Sequence, residues 1–222
     1  MIIRENTIKI DEGSKEFFLD SDNIKSAPEE MIFFDLEHYV YKKPKCIGVF
    51  GACIFDKVKS ELRVTQYMIE NKIEGKEILT LSKKYFEMMK EAGKKAIVTF
   101  SGNNDFSVIN YLFNKNNIEY VFSEEFELID IQKEYERVMD KSIGLKSLEK
   151  DFDIHRECEV ISGSNLAKTF QKIINDKEYI ERIPKEKIEK ILLYNEQDVV
   201  SLYHIFVNWK KYINKSKEEN CE

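Results

Sequence analysis

The sequence predicts an α/β domain on a mixed five-stranded sheet, three antiparallel strands followed by parallel ones, with helices on its faces. Three observations carry this expectation. The run Met31-Ile-Phe-Phe-Asp-Leu-Glu37, apolar until it ends in acids, reads as a buried strand. Residues 46–55 and 62–69 are further apolar runs, separated only by the polar stretch 56–61. That connection is too short for a crossover and suits an antiparallel hairpin. Beyond it, strand-like and helix-like stretches alternate, as they do where parallel strands are covered by helices.

Taken in order, residues 1–30 are polar and loosely patterned, with Thr7-Ile8-Lys9-Ile10 alternating like a short strand and Phe17-Phe18-Leu19 forming an apolar patch. They read as an extension packed on a main body of residues 31–215. After Glu37, Pro44 marks residues 38–45 as a turn. Ile78, Leu81, Tyr85, Met88 and Met89 recur at helical spacing up to Gly93, a suitable C-cap. Residues 96–100 form a short buried strand, 101–104 a turn, and Asp105 opens a helix with Phe106, Ile109, Leu112 and Phe113 on one face. A strand follows at 126–130, then helices near 131–139, 145–152 and 166–174. The longest helix comes last, its stripe running from Ile188 through Ile191, Leu192, Val199, Leu202, Ile205 and Phe206 to Trp209.

Composition bounds the function. In 222 residues, a hydrophobic content of 42% supports a sizeable core. The longest apolar run is too short to span a bilayer, and the N-terminus lacks the layout of a secretory signal. The four cysteines, Cys46, Cys53, Cys158 and Cys221, make no Cys-x-x-Cys pair, which suits a reducing, cytoplasmic setting. A net charge of −6 argues against coating nucleic acid through a broad basic face, but not against gripping a few phosphates locally.

Two carboxylates stand out at the end of the first strand. Asp35 and Glu37 fall on one side, because strand side chains repeat every two residues. There they repel each other and lose hydration, and a divalent cation would relieve both. Asp-x-Glu also arises by chance in an acidic chain, and Asp176-Lys177-Glu178 is a second copy in a polar stretch. The apolar run before Asp35 distinguishes the first. Asp198 lies within the stripe of the last helix, where a lone aspartate is costly unless paired or bound to metal. Tyr194 lies one turn before it on the same face. A plain amphipathic helix with Asp198 at its stripe edge is the alternative.

In this order, a strand carrying Asp-x-Glu, a hairpin, a strand-turn-Asp-helix unit and a late helical Tyr194-Asn-Glu-Gln-Asp198 resemble the DEDD superfamily of ribonuclease H-like 3′→5′ exonucleases, tyrosine branch (DEDDy). Within that branch, Ile143-Gly-Leu-Lys-Ser-Leu-Glu149, Phe152-Asp-Ile-His-Arg156 and Tyr194-Asn195 are similar to the YprB-like group of predicted exonucleases. The resemblance covers about residues 31–208. It implies a ribonuclease H-like fold and two Mg²⁺ or Mn²⁺ ions, with Asp35, Glu37, Asp105 and Asp198 as ligands and Tyr194 orienting the attacking water. Hard oxygen donors suit those ions, and two of them can stabilise both the attacking and the leaving oxygen of a phosphoryl displacement. Relatives place an aromatic just before the second-motif aspartate, whereas here the order is Asn104-Asp105-Phe106. The alternative is that Asp105 is a first-turn acid that merely favours the helix dipole.

The implied activity is phosphodiester hydrolysis at single-stranded DNA or RNA 3′ ends. An inactive nucleic-acid-binding module and a structure-selective endonuclease of the same fold are the alternatives. His38, Tyr39, Asn103 and Asn104 are the candidate substrate contacts. Tyr39, Tyr41, Lys42, Lys43 and Lys45 combine stacking rings with cations, against the alternative of an ordinary solvated turn. His204 reads as a helix-surface residue, Asp130 as an N-cap, and the basic run 182–190 as a helix start.

Overall fold

The computed structural model describes residues 1–10, 15–20, 24, 26–157 and 161–219. The chain runs β1 (Ile2–Lys9), β2 (Met31–Tyr41), β3 (Lys43–Asp56), β4 (Glu61–Met68), α1 (Glu74–Glu91), β5 (Ala96–Thr99), α2 (Asn103–Lys115), α3 (Phe122–Glu125), β6 (Glu127–Asp130), α4 (Ile131–Met139), α5 (Leu145–Asp151), α6 (Gly163–Asn175), α7 (Tyr179–Arg182), α8 (Lys185–Val207) and α9 (Trp209–Glu219).

The strands form one mixed sheet in the order β1-β4-β3-β2-β5-β6. Strands β1 to β4 pair antiparallel, and β5 and β6 continue from β2 in parallel. The mixed α/β architecture is the expected one, with six strands instead of five. The additional strand is β1, which lies antiparallel along β4 from Ile2↔Met68 to Lys9↔Glu61. It joins the edge through backbone hydrogen bonds, which need no apolar pattern, and its mostly exposed residues therefore give little sequence signal.

Strand β2 separates two apolar clusters. Ile32, Phe34 and Leu36 face one with α1, α2 and α6; Met31 and Phe33 face the other with α4, α5 and the C-terminal half of α8. Aromatic edges lock both sides: Phe34 meets Phe86 at 5.2 Å and Phe33 meets Tyr203 at 5.5 Å between ring centroids. Asp35 and Glu37 continue the Phe33 side, beyond the last parallel pair Phe33↔Val98. There β2 outruns β5, which places both acids at the carboxyl ends of the parallel strands, the end at which open α/β sheets bind ligands.

Several boundaries differ from expectation. β2 continues to Tyr41 and turns at Lys42, whose φ is 60°, so Pro44 lies inside β3. Register shifts after Glu37 and Tyr39 interrupt the alternation that marks a strand, which explains why the stretch reads as a turn. In α1 the buried face is Ile78, Leu79, Tyr85, Phe86 and Met89, while Met88 is exposed. Asp105 is the third residue of α2, not its first. The final helix breaks at Asn208 before Trp209. Cys46 and Cys53 are free buried thiols. Cys158 and Cys221 lie outside the described residues.

Candidate active site

The carboxylates of Asp35, Glu37 and Asp198 converge, each offering an oxygen within 4.8 Å of the others. Two come from one strand and the third from a helix lying across it, so packing β2 under α8 builds the cluster. Burial first, then the charge of Asp198, raises the Asp35 carboxyl to about 7. Burial and the charges of Asp35, Asp198 and Asp105 push Glu37 well above its ordinary range. A site that resists holding all its negative charge alone is suited to a cation, and an all-oxygen donor set suits a hard one.

Asp105 lies outside this group of three, at the start of α2. It is nonetheless buried and belongs to the same electrostatic unit. Burial, then Asp35, Asp130 and Asp198, raise its carboxyl strongly, opposed by a hydrogen bond from the Leu36 N–H. Asp130 caps α4 through the Gln132 N–H at 3.1 Å, as expected. It also accepts the N–H groups of Ser101 at 3.0 Å and Gly102 at 3.1 Å. One side chain thus pins the loop that delivers Asp105.

Tyr194 is buried one turn before Asp198 on α8. Desolvation first, then the charges of Asp198 and Glu37, raise its phenol far above the ordinary value, so it keeps its proton. Two cations cover its ring, with Lys146 Nζ 4.5 Å and Arg156 Cζ 5.1 Å from the centroid. Both also donate to Asp198 Oδ1. Arg156 simultaneously forks onto the buried Glu149, with Nε to Oε2 at 2.7 Å.

A second support orients Asp35. Asn195 Nδ2 donates to Asp35 Oδ2 at 3.0 Å, and Gln66 Nε2 donates to Asn195 Oδ1 and to the Leu192 carbonyl, each at 2.8 Å. Gln66 and Asn195 are fully buried. Lys146, Glu149, Arg156 and Asn195 all stand in segments quoted for the resemblance, but nothing in their spacing indicated a role. Gln66 sits among apolar strand residues, and its burial was the one signal available.

Asn195 fits because Gly51 carries no side chain. A Cβ there would meet the Asn195 amide, with Cγ at 2.7 Å. Gly51→Ala is expected to destabilise the fold by about 1–3 kcal/mol through overpacking. Gly51→Ala combined with Asn195→Ala should cost less than the sum of the single changes, a coupling readable by chemical denaturation.

The remaining candidates are less engaged. His38 is partly buried, its Nδ1 has no hydrogen-bond partner, and desolvation lowers its pKa. Tyr39 packs against the first apolar cluster. Asn103 and Asn104 are exposed and make local contacts, Asn103 Oδ1 accepting from Lys133 Nζ at 3.2 Å and Asn104 Nδ2 reaching Ser101 Oγ at 3.4 Å. His204, expected at the surface, is partly buried. Asp176 of the second Asp-x-Glu copy pairs with Arg182 on an exposed turn.

A model of the RNase H superfamily matches residues 32–210. The chain belongs to the RNase H superfamily. A search of curated proteins finds no match. The RNase H-like fold is generally that of a nuclease hydrolase acting on nucleic acid, typically with divalent metal ions, and this member carries an acidic cluster of Asp35, Glu37 and Asp198. No described helix of this RNase H-like protein is long and apolar enough to cross a membrane.

Proposed function

We propose that this RNase H-like protein is a 3′→5′ exonuclease of the DEDDy branch, close to the YprB-like group, acting on single-stranded DNA or RNA ends with two Mg²⁺ or Mn²⁺ ions. The observation that carries the reading is the convergence of Asp35, Glu37 and Asp198 with Tyr194 one helical turn from Asp198. Asp35, Glu37 and Asp198 would hold metal, with the buried Asp105 serving the second ion. Bound ions would supply Lewis-acid stabilisation of the phosphate and a more acidic water.

The chain's own groups divide the remaining work. A phenol held protonated beside carboxylates can orient an attacking water but not remove its proton, which suits Tyr194 to positioning. Asn195 and Gln66 hold the Asp35 carboxylate in one orientation. His38, Tyr39, Asn103 and Asn104 would contact the terminal nucleotides.

One observation favours the inactive binding module instead. Lys146 and Arg156 already neutralise Asp198, as a degenerate site would allow. Digestion of end-labelled single strands separates the readings. A 5′-labelled strand should give a ladder shortening from its 3′ end with Mg²⁺ or Mn²⁺ and none with EDTA. Cleavage of a circular single strand would point to an endonuclease, and no products under any metal would leave the binding module.

A further inference from the structure

Past Glu37, β2 leads into a groove of about 600 Å³ walled by Tyr39, Tyr41, Lys45, Lys72, Lys76 and Lys115. No carboxylate lines it, although acidic residues outnumber basic ones in this chain, 41 to 35. Two acids near Lys72 are engaged elsewhere: Glu70 and Glu74 both receive hydrogen bonds from the N-terminal ammonium, Glu74 at 2.6 Å. Among the described residues, none of Lys45, Lys72, Lys76 and Lys115 is paired with a carboxylate. Four unneutralised ammonium groups facing one cavity repel each other, and a polyanion in it relieves that cost.

The groove also presents an aromatic platform. Tyr41 is 59% exposed, an unusual position for a large ring, with Lys42 Nζ at 5.8 Å and Lys45 Nζ at 6.0 Å from its centroid. Exposed aromatics among lysines are how proteins grip single strands without reading sequence, by stacking bases and tracking phosphates. At about 3.3 Å per residue, Tyr41 lies about 13 Å along β2 from Glu37.

We propose that this groove binds the part of a single-stranded nucleic acid that leads into the carboxylate cluster, its phosphates on Lys72, Lys76 and Lys115 and a base on Tyr41. The assignment rests on the nuclease reading for what lies at the strand's end, but its test does not require turnover.

The test measures binding of a fluorescent single strand about ten nucleotides long by anisotropy, in full-length Asp35→Asn protein so that no strand is consumed. Lys72→Glu combined with Lys76→Glu should weaken binding at least about tenfold and lower the salt slope by about 1.4, the value for two phosphate contacts on a single strand. Tyr41→Ala should weaken it by about 5- to 160-fold, the loss of one stacked base. Both changes are on the surface, and unaltered melting temperatures would exclude misfolding. Binding unchanged by the double substitution would overturn the proposal. So would an affinity for phosphatidylserine vesicles that the double substitution abolishes while oligonucleotide binding persists. Failure of the nuclease reading would look different, because the parent protein would yield no products while its charge-reversed form still lost affinity.

Discussion

Asp198→Asn is expected to reduce hydrolysis to background and to abolish stabilisation by Mn²⁺, whereas Tyr194→Phe should lose turnover alone. In the parent protein, millimolar Mn²⁺ should raise the melting temperature, because an ion that binds only the folded cluster relieves its repulsion. Asp198 is one of three carboxylates within reach of a single ion, and its removal leaves too few ligands. Tyr194 reaches the same site through a neutral hydroxyl, so its loss leaves the ligands in place. Loss of a positioned group in acid–base chemistry costs roughly 10²–10⁴-fold. Thermal shift and initial rate, measured on the same preparations, separate the two residues. Tyr194→Phe turning over within about threefold of the parent would make Tyr194 a core aromatic and nothing more.

Arg156→Met should be the most destabilising single change near the site. Arg156 is the shared counter-charge of Glu149 and Asp198, all three side chains less than a tenth exposed. Removing it strands the buried Glu149 and leaves Asp198 with Lys146 as its remaining counter-charge, and breaking a buried pair in this way costs about 3–5 kcal/mol. For a chain of this size that corresponds to a fall in melting temperature of roughly 6–20 °C. Glu149→Gln introduced alongside should recover part of the loss, and Mn²⁺ should recover a different part, since a metal can neutralise Asp198 but not Glu149. A melting temperature unmoved by Arg156→Met would mean that the fork is solvated in solution and contributes no more than a surface pair.

Lys146 and Arg156 also set the charge balance of the site. Their hold on Asp198 supplies locally the positive charge that the cluster requires. A divalent ion would therefore compete with two tethered cations, and Lys146, the more exposed of the two, is the one freer to move away.

How much of this was legible in the chain follows from the kind of interaction involved. The order of strands and helices, the hairpin of residues 46–69 and the placing of Asp35 beyond an apolar run are local patterns. Burial of one face imposes a period on the sequence, and a period can be read. The same logic marked Asp198 and Tyr194 as neighbours on one helix face. Where the period is broken, reading fails: the register shifts after Glu37 and Tyr39 disguised the end of β2 as a turn. β1, held at the sheet edge by backbone hydrogen bonds, showed an apolar period only at its end, in Thr7-Ile8-Lys9-Ile10, and its first half gave none to read.

Only the tertiary structure decided which distant side chains meet. That Asp198 closes on Asp35 and Glu37 depends on α8 crossing β2, over a separation in sequence that no local pattern spans. Gln66 on β4, Asn195 on α8 and the bare backbone of Gly51 on β3 meet at one point to orient Asp35. Lys146 and Arg156 come from α5 and the segment that follows it, and they find Asp198 only once those pieces are packed. Local pattern carried five of the six strands, the longer covering helices and the acids able to form a site, because burial of one face writes hydrophobic periodicity into an element. The closure of the site, its counter-charges and its lysine groove were decided by packing, because a polar side chain's partner depends on three-dimensional proximity and leaves no periodic mark along the chain.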